Sequence, residues 1–332
     1  MRHATMRWSV LKRHLTQERI VLAIAVALFI LFSIILDKFL TAENILTLVR
    51  SVSVLGILGI GMMLVVIGRG IDLSIVAIMA ISVAWTLHLL NLHVSLAEAL
   101  ALGGGFAVVS GLMNGVLVAY VEIPALFATL AMGTFIYGFG RSQLIDLDII
   151  QLPEHIGWFG KIGTGYVLGV PMPIILFAIL GFLVFLFLRY TRSGRFFYAL
   201  GDNLPAARIV GAPVRPMIVL QYVLSALIGF VAGLITATSV SSMNTRVVNS
   251  TLVYDVILVV VLGGVGLSGG KGSVRNVLVG TILIGILVDG MTIMDLQYTL
   301  QNVIKSIILL IAIVVDSMVN PRDEQTAQQG DI

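Results

Sequence analysis

Apolar residues in this chain do not alternate with polar ones at strand or surface-helix spacing; they come in long blocks. Ten blocks can be marked, near residues 20–40, 50–68, 72–92, 96–121, 124–142, 171–189, 217–240, 251–268, 276–294 and 299–319. About 20 apolar residues are needed to carry a helix across the roughly 30 Å hydrocarbon layer. The pattern therefore predicts an all-α polytopic membrane protein with about ten transmembrane helices. Two connections between blocks are long, 143–170 and 190–216. The first is rich in glycine, proline and aromatics and reads as a lid or short interfacial helix. The second is a cationic lead-in, a glycine turn, a short helix and a double proline stop. So short a helix is unstable alone in water, so it must pack on its own bundle or on a partner.

Composition agrees. The chain has 332 residues, 58% hydrophobic and 11% charged, with a mean hydropathy of +1.07. Roughly a quarter of residues are charged in soluble domains, so polar surface is too scarce for water on all sides. There is no cysteine, which removes disulfides, thiolate metal sites and a cysteine nucleophile. The net charge of +3 follows membrane topology and is no sign of a nucleic-acid partner. Basic residues orient the bundle. Arg2, Arg7, Lys12, Arg13 and Arg19 precede the first block; Arg189, Arg192, Arg195, Arg208 and Arg215 flank or occupy 190–216; Lys271 and Arg275 follow the eighth block. The connection 143–170 has one lysine against Asp146, Asp148 and Glu154. Both termini are then expected in the cytoplasm, with 143–170 outside. The expected organisation is a basic segment 1–19, one transmembrane domain 20–320 and a tail 321–332. The first block is too long for a cleaved leader and reads as a retained helix.

Val261–Ser273, "VLGGVGLSGGKGS", looks like an ATPase signature twice over. A phosphate-binding loop needs G-x-x-x-x-G-K-[ST]; here the first glycine position is Val265 and the last position Gly272, so two of four fixed positions fail. The run is better explained by backbone geometry. Glycine supplies positive φ and lets helices approach closely, and non-helical backbone at membrane depth survives only inside protein or beside water. The stretch Gly68–Ala77, "GRGIDLSIVA", repeats a Gly-x-x-x-Leu-Ser core and marks a candidate internal repeat.

Several stretches together resemble the membrane-spanning permease subunit of ribose-type ATP-binding cassette (ABC) importers, the monosaccharide branch related to branched-chain amino acid permeases. They are "VVIGRGIDLSIVAI", "GLMNGVLVAYVEIPALFATLAMG", "GTGYVLGVPMPIILF", "TRSGRFFYALGDNLPAARIVGAPV" and "YDVILVVVLGGVGLSGGKGSVRNVLVGTILIGIL", in order across residues 20–320. The resemblance implies a multi-pass subunit of the bacterial inner membrane without a nucleotide site or cofactor. It also implies a second permease subunit, ABC ATPase subunits below and a periplasmic solute-binding protein above. It places a coupling segment at "GDNLPAARIVGAP", where Gly201, Asn203, Ala206, Ala207 and Gly211 match the pattern and Asp202 and Arg208 lie between them. Four positions depart from the pattern the resemblance implies: Arg69 stands where a glycine is usual, Val76 and Ala77 where a Gly-Ser pair is, and Asp289 where an asparagine is.

Polar residues within the blocks are functional candidates, because burying them in hydrocarbon is costly. Asp72, Ser74, Asn114, Asn244, Asp255 and Asp289 are candidates for the solute path or for structural roles, with Asn249 beside them. Asp72 reads as pairing with Arg69 or capping the next helix, and Asp255 as a cap at the start of the eighth block. Lys305 is expected to snorkel or to pair with Asp289 or Asp295. His88, His93 and His155 lack metal-ligand spacing, and no nucleophile–base pair is visible. The rivals to a monosaccharide importer subunit are a branched-chain amino acid permease and a stand-alone secondary transporter.

Overall fold

The computed structural model describes residues 17–319; the segment before and the tail after lie outside it, and with them the expectations for the two ends. The ten apolar blocks are all helical. They are α1 (Gln17–Ile35), α2 (Ala42–Ile67), α3 (Ile75–Asn91), α4 (Leu96–Ala119), α5 (Ala125–Phe139) and α6 (Met172–Tyr190). The connection that follows holds α7 (Arg192–Asp202) and α8 (Leu204–Ile209); then come α9 (Val214–Ser239), α10 (Leu252–Leu262), α11 (Val274–Ile293) and α12 (Tyr298–Val319). Seven of the ten, α1, α2, α4, α6, α9, α11 and α12, are long and apolar enough to cross a membrane. The remaining three are shorter. At 1.5 Å per residue the eleven residues of α10 rise only about 16 Å, half the hydrocarbon thickness.

Local signals start the helices where polar side chains can take the free amide groups. Thr41 accepts from the Asn44 amide and Ser273 from the Asn276 amide. Ser95 accepts from the Glu98 amide while its hydroxyl donates to the Glu98 carboxylate at 2.8 Å, so one side chain caps the helix and holds its first-turn acid. Prolines 124 and 171 stand just ahead of α5 and α6, where a missing amide hydrogen does no harm.

α2 is the axis of the bundle. From Gly56 to Ile67 every residue is buried, as expected of a helix apolar all round. α3, α6, α9, α10 and α11 pack round it, through a core that includes Ile57, Met63, Ile75, Phe177, Ile228, Val259 and Val277. α1 and α12 lie at the rim and present Ile34, Ile35, Leu310 and Ile311 outward.

The contact between α4 and α9 has a different cause. Gly103, Ala107, Gly111 and Gly115 recur every four residues on α4, so they form one small-residue stripe. A Cβ on Gly111 would sit 2.7 Å from the Tyr222 carbonyl oxygen, and one on Gly115 2.6 Å from Val219 Cα. The two backbones therefore touch.

One end of the bundle is closed by the 143–170 connection. Its strand β1 (Ile149–Gln151) pairs antiparallel with Ser242–Asn244 just after α9, and Tyr166–Val167 with Val170–Pro171 forms a small hairpin. Asp148 ties Arg141 at 2.9 Å and Arg246 at 2.5 Å. The expected lid is thus a braced cap made of a 3-10 turn (Glu154–Gly160), a one-turn helix (Lys161–Thr164) and these strands.

Gly111→Leu is expected to cost about 1–3 kcal/mol of stability, whereas Gly105→Leu, whose side chain would meet nothing within 4 Å, should be neutral. Thermal unfolding of the detergent-extracted protein measures both.

Candidate functional site

The glycine run after α10 answers to geometry. Gly264, Gly269, Gly270 and Gly272 have φ of 91°, 81°, 72° and 143°, a region open to glycine and costly to others. The run turns back over the ends of α2 and α7. The Gly270 amide donates to the Ile67 carbonyl at 2.9 Å. A Cβ on Gly201 would stand 1.8 Å from that same carbonyl oxygen and 2.3 Å from the Gly270 nitrogen. Three backbones meet here: the break between α2 and α3, the end of α7, and the turn between α10 and α11.

The turn's polar backbone is satisfied from several sides, as burial requires. Asn276 Nδ2 donates to the Gly263 carbonyl at 2.7 Å, Gln17 Nε2 to the Val261 carbonyl at 3.1 Å, and the Leu267 amide to the Asp316 carboxylate at 3.3 Å. The Tyr198 hydroxyl donates to the Gly272 carbonyl at 2.8 Å. Burial pushes that phenol's pKa up, so it remains a donor at neutral pH.

Arg69 completes the junction. Its φ of 69° is left-handed, which costs a non-glycine residue about 1–2 kcal/mol and fits the glycine that the family resemblance implies here. In return its guanidinium donates to the Gly201 and Asp202 carbonyls, each at 2.7 Å. Hydrogen bonds from a charged donor contribute roughly 1.5–3 kcal/mol, enough to offset the strain. The expectation that Arg69 serves Asp72 is replaced by this bridge.

Asp72 lies just beyond, fully buried. One carboxylate oxygen accepts from the Ser74 amide at 3.1 Å and the Ser74 hydroxyl at 2.6 Å; the other accepts from Ser225 at 2.8 Å. Ser74 in turn accepts from Asn114 Nδ2 at 2.7 Å, and Thr129 receives the Leu73 amide at 3.1 Å. The cluster pins the start of α3 to α4, α5 and α9, close to the capping role expected. Asn114 Oδ1, Gln221 Nε2 and the Tyr222 hydroxyl are buried with no hydrogen-bond partner among the described residues. Gln221 and Ser225 were not singled out from sequence, although their i, i+4 spacing puts both on one face of α9.

The connection 190–216, expected to hold the coupling segment, contains two helices, α7 and α8. Asn203 caps α8 by accepting from the Ala206 amide at 2.9 Å. Ala207 is turned inward onto Leu200, Ala212 and Val214, and Gly201 is buried in the junction. Asp202, Asn203, Ala206, Arg208 and Gly211 face outward. Gly211, at φ 78°, ends α8 through the Ala212 amide bonding back to the Ala207 carbonyl at 3.0 Å. Ile209 and Val210 are 86% and 77% exposed, an apolar tip that sequence reading did not single out.

The other candidates scatter. Asn244 caps the turn after its strand by accepting from the Arg246 amide at 2.9 Å, and Asp289 accepts from Asn44 at 2.7 Å. Lys305 pairs with Asp255 at 2.8 Å, in place of Asp289 or Asp295. Asp255 is thereby an ion-pair partner, and the residue ahead of α10 is Thr251, whose side chain makes no cap bond. Among the described residues no three His, Asp or Glu side chains gather as a metal site.

A many-helix apolar bundle with an exposed amphipathic hairpin locked to its central breaks has the form of a membrane permease subunit. The family described as "Branched-chain amino acid transport system / permease component" matches residues 44–313, and the chain belongs to it. The ribose import permease protein RbsC of Escherichia coli K12 is 31% identical over 314 residues, covering 92% of this chain and 95% of its own. RbsC of Bacillus subtilis is 35% identical, covering 87% and 89%, and the L-arabinose ABC transporter permease protein AraH of Azospirillum brasilense 35%, covering 89% and 86%. No solved structure matches.

Gly201→Ala is expected to force the junction apart, since its new methyl would overlap a carbonyl oxygen. Protease sensitivity at residues 191–213 should rise while the bundle still extracts as a folded species. Asp72→Ala should cost about 1–3 kcal/mol by stripping two hydroxyls of their acceptor, read as a fall in the unfolding midpoint.

Proposed function

We propose that this chain is the transmembrane subunit of an ABC importer for a monosaccharide or similar small polyol. The observation that carries the proposal is end-to-end similarity to permeases named for ribose and L-arabinose. In this reading the ten apolar helices all contribute to crossing the bacterial inner membrane, with both termini and the α7–α8 hairpin in the cytoplasm. A second permease subunit completes the pathway, ATPase subunits bind below, and a periplasmic binding protein delivers solute to the capped end.

The work of this subunit is conformational. The exposed Ile209–Val210 tip, with Arg208 and Ala206 beside it, seats in a groove of the ATPase. Ala207 serves from inside by bracing that tip against α7 and α9. Movement of α8 passes through α7 to the Gly201 junction and so reaches the breaks after α2 and α10 together, a lever between two discrete packings. Helices broken in this way are where transporters change access. No bond is made or cut by this chain; nucleotide chemistry belongs to its partners. The family's name carries the other solute class, branched-chain amino acids, and uptake assays decide between the two.

Reconstituted with its ATPase and binding protein in liposomes, the wild-type chain should accumulate sugar only when ATP is hydrolysed. Ion-driven uptake by the chain alone would instead identify a secondary transporter. Ile209→Asp with Val210→Asp is expected to cut uptake and solute-stimulated ATP hydrolysis by roughly tenfold or more, the loss of an apolar contact worth at least about 1.4 kcal/mol. Extraction and thermal stability of the chain should not change.

A further inference from the structure

Two arginines stand at one end of the bundle beside a recess of about 400 Å³. Its walls are Tyr120, Arg208, Ala212, Val214, Arg215 and Pro216, so it lies where α4 ends and where α8 leads into α9. That volume falls within the range of ligand pockets, roughly 300–1,000 Å³. Arg215 donates to the Glu122 carboxylate at 2.8 Å, and its guanidinium lies 5.5 Å from the Tyr120 ring centre. A guanidinium has five N–H donors, so most of its capacity is left. Arg208 is exposed, and its guanidinium has no hydrogen-bond or ion-pair partner among the described residues. One carboxylate against two guanidiniums leaves the recess positive.

The recess also sits at the depth of lipid phosphates. The 24 residues of α4 and the 26 of α9 rise about 36 and 39 Å at 1.5 Å per residue, more than the roughly 30 Å of hydrocarbon. Their ends therefore emerge among headgroups, side by side, as the close approach of Gly115 to Val219 shows. Below the recess runs a second feature. Val109, Leu112, Val116 and Tyr120 recur every three or four residues, which puts them on one face of α4, and all four are exposed. This stripe rises about 16 Å, close to half the hydrocarbon thickness, or one leaflet. A free phosphate has no use for an apolar track. A phospholipid does, because its acyl chains descend from its phosphate. Tyr120 joins the two parts, an aromatic at the boundary between water and hydrocarbon.

We propose that this recess binds the phosphodiester headgroup of an anionic phospholipid, with Arg208 and Arg215 donating to its oxygens and the acyl chains lying along the Val109–Tyr120 face. The guanidinium fork matches phosphate oxygens, and basic recesses between spanning helices hold anionic headgroups. Such a lipid clips α8 to α9 at the membrane surface, while Ile209 and Val210 stay outside the recess. Its effect on coupling rests on the importer reading above; the lipid site itself needs only that α4 and α9 cross a bilayer.

The full chain in detergent is titrated with phosphatidylglycerol and, separately, with phosphatidylcholine, and bound lipid is counted by native mass spectrometry. Phosphatidylglycerol should be retained at roughly tenfold lower concentration than phosphatidylcholine. Arg208→Gln should weaken that retention roughly tenfold without moving the unfolding midpoint, because Arg208 has no partner in the chain to lose. Arg192→Gln, which removes an exposed arginine of α7 outside the recess, should leave retention unchanged. Equal retention of the two lipids, or equal losses in the two variants, would overturn the proposal. Displacement of the lipid by equimolar inorganic phosphate would overturn it in favour of a soluble anion. In the complete importer the lipid should remain; its loss on assembly would give the recess to a protein partner and overturn the proposal too. None of these readouts needs solute uptake, so a chain that imports no sugar leaves the lipid result standing.

Discussion

The structure turns on one constraint: backbone that leaves the helix inside a membrane protein must find partners within the protein. α2 ends at Ile67 and α10 at Leu262, both deep in contact with other helices. Each break exposes carbonyls and amides that lipid cannot satisfy. The solution is to bring the two breaks together and lay the end of α7 across them, so that Gly270 bonds Ile67 and Arg69 bonds Gly201 and Asp202. Glycine is required because side chains would hold the three backbones apart.

From this constraint follows a mechanical arrangement. α8 is short and would not persist alone. It persists because Ala207 packs on Leu200 and Val214 and because α7 is locked into the junction. Both helices of the 190–216 connection are thereby joined to the two broken elements. In the proposed coupling, a push at Ile209 is carried through these packed contacts to the ends of α2 and α10. On the far side, Asp72 and its serine and asparagine partners tie the start of α3 to α4 and α9, so the proposed displacement at the junction would involve these helices as well.

Much of this was legible in the sequence. Ten apolar blocks became ten helices, and the glycine turn and the two long connections stood out by composition. Boundaries moved where composition was blind: α2 begins at Ala42 because Thr41 caps it, eight residues ahead of the apolar block. α7 was hidden because "RSGRFFYALGD" is amphipathic rather than apolar. Pairings between distant segments were not legible at all. Nothing near Lys305 points to Asp255, fifty residues away. Nothing near Arg69 reveals that its partners are two carbonyls of another helix. The family resemblance marked Arg69 as a departure, and its positive φ with two compensating bonds supplies the physical reason.

The central claim is that the junction moves as one body while the helices around it rearrange. Spin labels placed on Asp202 and Lys271, both exposed at its edge, measure this by their separation in the assembled importer. The account predicts one narrow distance that is the same without nucleotide and with ATP trapped. A separation that broadens or shifts by roughly 5 Å, one helical turn's rise, between those states would contradict it.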